Sequence, residues 1–191
     1  MNKAVFLDRD GTLIEERKYL SRPEDVAVFP RTGVALKRLQ AVGFKLFIVS
    51  NQSGVGRGYF TLADVEKVNH RLLEELDRER ASIEKIYIAP ESPDSPSHGR
   101  KPSPNFLFDA RDEFGLDLAA SYMIGDKLCD IECGWNAGVK TSILVRTGYG
   151  AELERASGSE LQRAVIVDDL AAAANWILTE NKRLCAHSEH V

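Results

Sequence analysis

The chain has 191 residues, 43% hydrophobic and 28% charged, which suits a globular protein of one domain and excludes disorder along its whole length. Its 25 Lys plus Arg against 29 Asp plus Glu leave a formal net charge of -4, which argues against a general binder of nucleic acid or other polyanions. Three cysteines form no paired framework and point to a reducing compartment.

The first apolar run, Ala4 to Leu7, is cut off by Asp8, Arg9 and Asp10 before a secretory signal can form. No stretch approaches the ~20 apolar residues of a membrane span. A soluble, cytoplasmic protein is expected, as a monomer.

In chain order, Ala4 to Leu7, Lys45 to Val49, Ile83 to Ile88, Ser121 to Ile124, Thr141 to Val145 and Ala164 to Val167 read as strands, the third with the weakest pattern. Short apolar runs without alternation are those of strands covered on both faces, as in a parallel sheet. Helical spacing fills the gaps between them. Val34, Leu36, Leu39 and Val42 make one stripe. Thr61 is an N-cap for a helix carrying Leu62, Val65, Val68, Leu72, Leu73 and Leu76. Ser103-Pro104 opens another helix, with Phe106, Leu107, Ala110 and Phe114 on its apolar side, and Leu170 to Leu178 closes the series. Strand and helix alternate throughout, so the fold class is α/β, a doubly wound parallel sheet. One domain over residues 1–179 is expected, with a polar, frayed tail at 180–191.

Ligands of doubly wound sheets sit beyond the carboxyl ends of the strands. The segments at those ends are therefore informative: Asp8-Arg-Asp-Gly-Thr12 after the first run, Ser50-Asn-Gln-Ser-Gly-Val-Gly-Arg-Gly58 after the second, Arg100-Lys101 after the third and its loop, Gly125-Asp-Lys-Leu-Cys-Asp130 after the fourth. Taken alone, Asp8 and Asp10 suit a turn or cap, and Asp126 with Asp130 a helix N-terminal charge pair. Together at one sheet edge they suit a hard cation such as Mg2+. An EF-hand starting at Asp8 is excluded, because Leu13 and Tyr19 stand where Gly and Glu are required. Ser50 and Asn51 with the neighbouring glycines can cradle phosphate oxygens, although the spacing is neither a Walker loop nor G-x-G-x-x-G. Lys101 supplies a compact cation, and Arg57 and Arg100 are candidates for bidentate contacts to anionic oxygens.

These four segments in this order, D-x-D-G-T, S-N-Q-S-G, R-K-P and G-D-x-x-x-D, resemble the haloacid dehalogenase (HAD) phosphatases, and more closely their histidinol-phosphatase-like branch. The resemblance covers about residues 3–147. It implies a HAD-like Rossmannoid three-layer α/β/α fold and a Mg2+-dependent phosphomonoesterase acting on a small sugar phosphate. A heptose bisphosphate is the expected substrate, with histidinol phosphate as the alternative and a phosphosugar-binding scaffold as the non-enzyme alternative. In that likeness Asp8 is the nucleophile and a metal ligand. Asp10 is general acid and then base, its carbonyl also on the metal. Ser50, Asn51 and Lys101 hold the phosphoryl group. Asp126 completes the metal set with Asp130 in support, and Arg57 and Arg100 contact substrate.

The same likeness bears on a cap domain and on zinc. The intervals from Thr12 to Phe44 and from Gln52 to Arg100 are too short for a separate cap domain. Many members of the branch hold a structural zinc through a C-x-H and a C-x-C pair before R-K-P. Here Ala89-x-Glu91 and Ser97-x-Gly99 occupy those places, so no structural zinc is expected, and His98 alone is insufficient. Cys129 and Cys133, four apart on a helix, read as packed thiols. Gly148-Tyr149-Gly150 is placed at the border of the site without a chemical role.

Overall fold

A computed structural model describes residues 2–188. The six apolar runs form β1 (Lys3–Leu7), β2 (Phe44–Asn51), β3 (Lys85–Ala89), β4 (Tyr122–Gly125), β5 (Thr141–Val145) and β6 (Val165–Val167). They make one sheet in the order β3-β2-β1-β4-β5-β6, every pair parallel. Successive side chains of a strand point to opposite faces, and each face here meets helices. Val5 and Leu7 join one core, built with α1 (Thr32–Ala41), α3 (Leu62–Arg78) and α7 (Leu170–Ser188). Ala4 and Phe6 face a second, built with α4 (Asn105–Phe114) and α5 (Leu128–Ala137). A third, smaller cluster puts Leu153 of α6 (Gly150–Ser157) against Leu144 of β5. The result is a three-layer α/β/α structure.

Local signals explain most helix limits. Thr61 closes a capping box with Asp64, each satisfying the other's backbone N–H at the start of α3. Gly115 and Gly138 end α4 and α5 in the left-handed region, where glycine carries no Cβ penalty. Two expectations need correction. The α1 stripe is rotated: Ala35, Leu36 and Leu39 are buried, whereas Val34 in the first turn is on the outward side and Val42, past the last helical turn, is exposed. The tail is also helical through Ser188 rather than frayed from residue 180. Glu180, Asn181, Lys182 and Arg183 contain neither Gly nor Pro, and Glu180 pairs with Arg183 one turn on at 2.6 Å, so nothing stops the helix. Residues 189–191 of that tail lie outside the described residues.

The two intervals where a cap could be inserted hold little besides α1 in the first and α3 and β3 in the second, which belong to the three layers. A single 3-10 turn at Pro23–Asp25 and isolated bridges pairing Ile14 with Asp10 and with Val28 organise the first. The second begins with the one-turn α2 (Ser53–Gly56). Neither adds a separate layer among the described residues, and no helix among them is long and apolar enough to cross a membrane.

Candidate active site

From β1 the chain runs outward to β2 and β3 on one side, and β4, β5 and β6 lie on the other. Parallel strands diverging from one point leave a crevice at their carboxyl ends. Leu7 is in register with both Ile48 and Ile124, so the residues just past β1, β2 and β4 emerge side by side. The N–H of Asp8 still donates to Ile124 O at 2.9 Å, fixing the first carboxylate against the end of β4.

Beneath the crevice lies a buried charge cluster. Lys101 Nζ donates to Asp8 Oδ1 at 2.5 Å and to Val49 O at 2.6 Å, and pairs with Asp130 Oδ1 at 2.6 Å. Lys101 and Asp130 are almost completely buried and Asp8 is 5% exposed. Burial alone would lower the Lys101 pKa, but Asp130 and then Asp8 outweigh it and hold the ammonium charged well above its ordinary value. The other Asp130 oxygen accepts the Lys127 N–H at 2.9 Å, so both of its oxygens are engaged.

Asp126 differs. It is fully buried, its Oδ2 accepts the Tyr149 N–H at 2.9 Å, and its Oδ1 has no hydrogen-bond partner. Burial, and then the Asp8 charge, push its carboxyl up to about 8. Ligand oxygens of Asp8, Asp126 and Asp130 lie within 4.8 Å of one another. An oxygen-only cluster with one orphaned buried oxygen and a proton affinity raised by burial and then by like charge is what a hard divalent cation relieves.

Two glycines make room for that carboxylate. Gly11 (φ +88°) and Gly148 (φ +57°) would each place a Cβ 2.2 Å from Asp126 Oδ2, so neither position accepts a side chain. Thr147 Oγ1 donates to Gly11 O at 2.6 Å, tying the two loops together. Gly148-Tyr149-Gly150 thus has a chemical role: it aims a backbone donor at Asp126.

Above the cluster opens a cleft of about 310 Å3, bordered by Asp10, Asn51 and Gln52 at the strand ends and by Glu16, Lys127 and Tyr149 opposite. That is the lower end of the ~300–1,000 Å3 usual for small-molecule sites. Asp10 is held on two sides, by the Arg9 guanidinium at 2.9 and 3.2 Å and by Gln52 Nε2 at 3.0 Å. Gln52 Nε2 also donates to Ser50 Oγ at 2.8 Å, linking the hydroxyl to the carboxylate.

The remaining expected residues divide. Asn51 closes two 3.0 Å hydrogen bonds with the Lys101 backbone, donating to its C=O and accepting from its N–H. Its carboxamide therefore positions Lys101, with the second Nδ2 hydrogen outside this pair. Arg57 is exposed beyond α2, and Arg100 Nη1 turns to Glu91 O at 3.1 Å; neither lines the cleft. In the 90–104 loop, Ser97 Oγ donates to Glu91 Oε2 at 2.7 Å, and exposed His98 pairs with Asp109 at 2.8 Å. Cys129 and Cys133 sit in α5, and burial pushes both thiols up to about 12.

Lys127 is a site residue that the motifs contain without marking. Its Nζ lies 2.9 Å from Glu16 Oε2, 3.9 Å from Asp126 Oδ1 and 5.1 Å over the Tyr149 ring. Burial opposes its charge, but Asp8 and Asp126 raise its pKa overall. Arg9 and Gln52 are likewise readable only as members of their motifs, because their partners are distant in sequence or depend on side-chain direction.

A sequence model described as HAD-hydrolase-like matches residues 98–173, the half of the site carrying Lys101, Asp126 and Asp130. The D-glycero-D-manno-heptose-1,7-bisphosphate 7-phosphatase of Thermosynechococcus vestitus is 38% identical over 189 residues, covering 92% of this chain and 95% of that protein. The chain belongs to the HAD-like hydrolases. The enzyme of the same name from Chlorobaculum tepidum is 40% identical over 163 residues, covering 78% of this chain and 81% of its own. Among solved structures, D,D-heptose 1,7-bisphosphate phosphatase from B. bronchiseptica, complexed with magnesium and phosphate, superposes with a TM-score of 0.86 at 29% identity over 93% of this chain and 99% of that one. The crevice at the sheet edge of this HAD-like hydrolase is the place where the fold puts chemistry.

Proposed function

We propose that this HAD-like hydrolase is a Mg2+-dependent phosphomonoesterase that removes the 7-phosphate of D-glycero-D-manno-heptose 1,7-bisphosphate. The observation that carries the reading is the Asp8 carboxylate, pinned by the buried Lys101 ammonium beneath a cleft that Asp10 borders. The substrate comes from the names of the relatives, and it is consistent with a cleft offering Lys18 and Lys127 together with Tyr19 and Tyr149.

The donor set fits Mg2+: Asp8 and Asp126 supply carboxylate oxygens, and the Asp126 Oδ1 orphan has a use. Such an ion, when bound, offsets the charge of the phosphoryl group and of the carboxylates around it.

The chain's own groups carry the steps. Asp8 attacks phosphorus, forming an aspartyl-phosphate as the bond from phosphorus to the C7 oxygen breaks. The leaving oxygen takes a proton from the Asp10 carboxyl. The Asp10 carboxylate then takes a proton from water, whose oxygen bonds to phosphorus while the Asp8–phosphorus bond breaks. Inorganic phosphate leaves and both carboxyl groups return to their starting states. Lys101 stays charged throughout, neutralising the anion beside Asp8, and Asn51 keeps its backbone in place.

Phosphate release with Mg2+ on a panel of heptose 1,7-bisphosphate anomers, histidinol phosphate, fructose 1,6-bisphosphate and a 3′-phosphorylated oligonucleotide tests the reading. A heptose preference of about a hundredfold in kcat/KM, ~2.7 kcal/mol of transition-state discrimination, is expected. A flat profile would remove the heptose assignment, and no release from any of them would remove the phosphatase.

A further inference from the structure

The Asp10 carboxylate is part of a buried relay that leads away from the cleft. Arg9, in the same D-x-D motif, is 1% exposed. Its Nε donates to Asp10 Oδ2 at 2.9 Å and its Nη2 to Asp10 Oδ1 at 3.2 Å, a fork that fixes the plane of the carboxylate. Its Nη1 donates to Asn69 Oδ1 at 2.8 Å, sixty residues along the chain on α3. Asn69 is itself buried, between Val65, Val68 and Leu72 on a helix fixed by its capping box.

A guanidinium taken out of water requires partners for its donors, and misplacing one forces the whole planar group to move. Without the Asn69 oxygen, Arg9 must rotate to find another acceptor, and the fork on Asp10 turns with it. A short Asp side chain has little reach of its own, so a small rotation takes the carboxyl out of line with a leaving oxygen.

We propose that Asn69 is a positioning residue for proton transfer by Asp10, acting through the Arg9 guanidinium. This rests on the phosphomonoesterase reading above. It adds that a residue on α3, outside every motif of the site, sets the efficiency of leaving-group protonation and leaves attack by Asp8 untouched.

The separation of those two steps supplies the test. An alkyl phosphate releases a strongly basic alkoxide and needs the acid, whereas p-nitrophenyl phosphate releases a stable phenolate and needs it little. Both substrates are assayed on the same samples of wild type, Asp10→Asn, Asn69→Ala, Asn69→Leu and Asn69→Asp, with thermal unfolding run beside them. Because the readout is a ratio within one sample, partial misfolding of a variant cancels, and the two deletions guard against failure of either.

Asp10→Asn is expected to lose kcat/KM on the alkyl phosphate selectively, because kcat/KM reports the steps through departure of the leaving group and leaves out the later hydrolysis, in which Asp10 serves as base for both substrates. Asn69→Ala and Asn69→Leu are expected to behave like it, losing about tenfold in kcat/KM there and less than about twofold in kcat/KM on the aryl phosphate. Asn69→Asp, which keeps the acceptor, is expected to restore the wild-type ratio. Equal losses on both substrates in the Asn69 variants, beside a selective loss in Asp10→Asn, would overturn the positioning role and leave the phosphatase standing. Equal losses of kcat/KM in Asp10→Asn itself would overturn both this inference and the role of Asp10 as the acid for the leaving group.

Discussion

Asp126→Asn separates the cost of a buried charge from its use. In the metal-free fold the Asp126 carboxyl is pushed from its ordinary 3.8 up to about 8, first by burial and then by Asp8. An acid whose folded value is raised contributes stability in full below its unfolded value, and loses that stability as pH rises toward the folded one. Between about pH 4 and 8 the metal-free protein is therefore progressively destabilised. At ~1.36 kcal/mol per pH unit, the cost near pH 7.5 is at most about 5 kcal/mol, and relaxation with water entry reduces it to roughly 2–3 kcal/mol.

An Asn side chain removes that cost at nearly constant shape. Its carbonyl can still accept the Tyr149 N–H, and its NH2 then occupies the place of the orphaned Oδ1. In chelator near pH 7.5, the variant is expected to melt about 5–10 °C above wild type, the gap narrowing by more than half near pH 5. Adding Mg2+ is expected to raise the wild-type Tm and leave the variant's unmoved, while phosphate release is lost in the variant. Differential scanning calorimetry over that pH range, with and without Mg2+, measures all of this. A variant no more stable than wild type in chelator, or a gap that ignores pH, would refute the electrostatic argument.

The same contacts lead to three other outcomes. Lys101→Met leaves Asp8 and Asp130 buried without their cation, so urea unfolding is expected to show a loss of about 3–5 kcal/mol, and phosphate release a fall of at least ~100-fold. Gly11→Ala demands both a positive φ and space taken by Asp126 Oδ2; a loss of at least ~2 kcal/mol in urea unfolding is expected, and a melting point within a degree or so of wild type would contradict the geometry. With their thiols pushed up to about 12, Cys129 and Cys133 are expected to alkylate at least ~100-fold more slowly at about pH 8 in the native protein than in urea, read by peptide mapping.

All six strands and their parallel arrangement are legible in the chain, because strands covered on both faces are apolar without alternation and the helices between them carry a different period. The positions of Asp8, Ser50 and Asp126 are legible for a related reason: residues that end parallel strands must share one edge. Lys101 reaches that edge through the loop after β3, where Asn51 holds its backbone. Helix extent is less so. Only packing decides which side of α1 is inward, and nothing polar in 180–183 distinguishes a frayed end from a continuing helix until Glu180 and Arg183 are seen to pair.

Side-chain direction is what the tertiary structure alone decided. The motifs mark Asn51 for a phosphoryl group and Arg100 for substrate; the contacts of the fold add that the Asn51 carboxamide holds the Lys101 backbone and that Arg100 Nη1 donates to Glu91 O. The partner of Arg9 comes from α3, and the donor to Asp126 Oδ2 from the loop after β5. The local code places a residue at an edge through backbone periodicity. Which atom it then meets depends on hydrogen bonds and charges brought together from distant parts of the chain, and those exist only once the layers have closed.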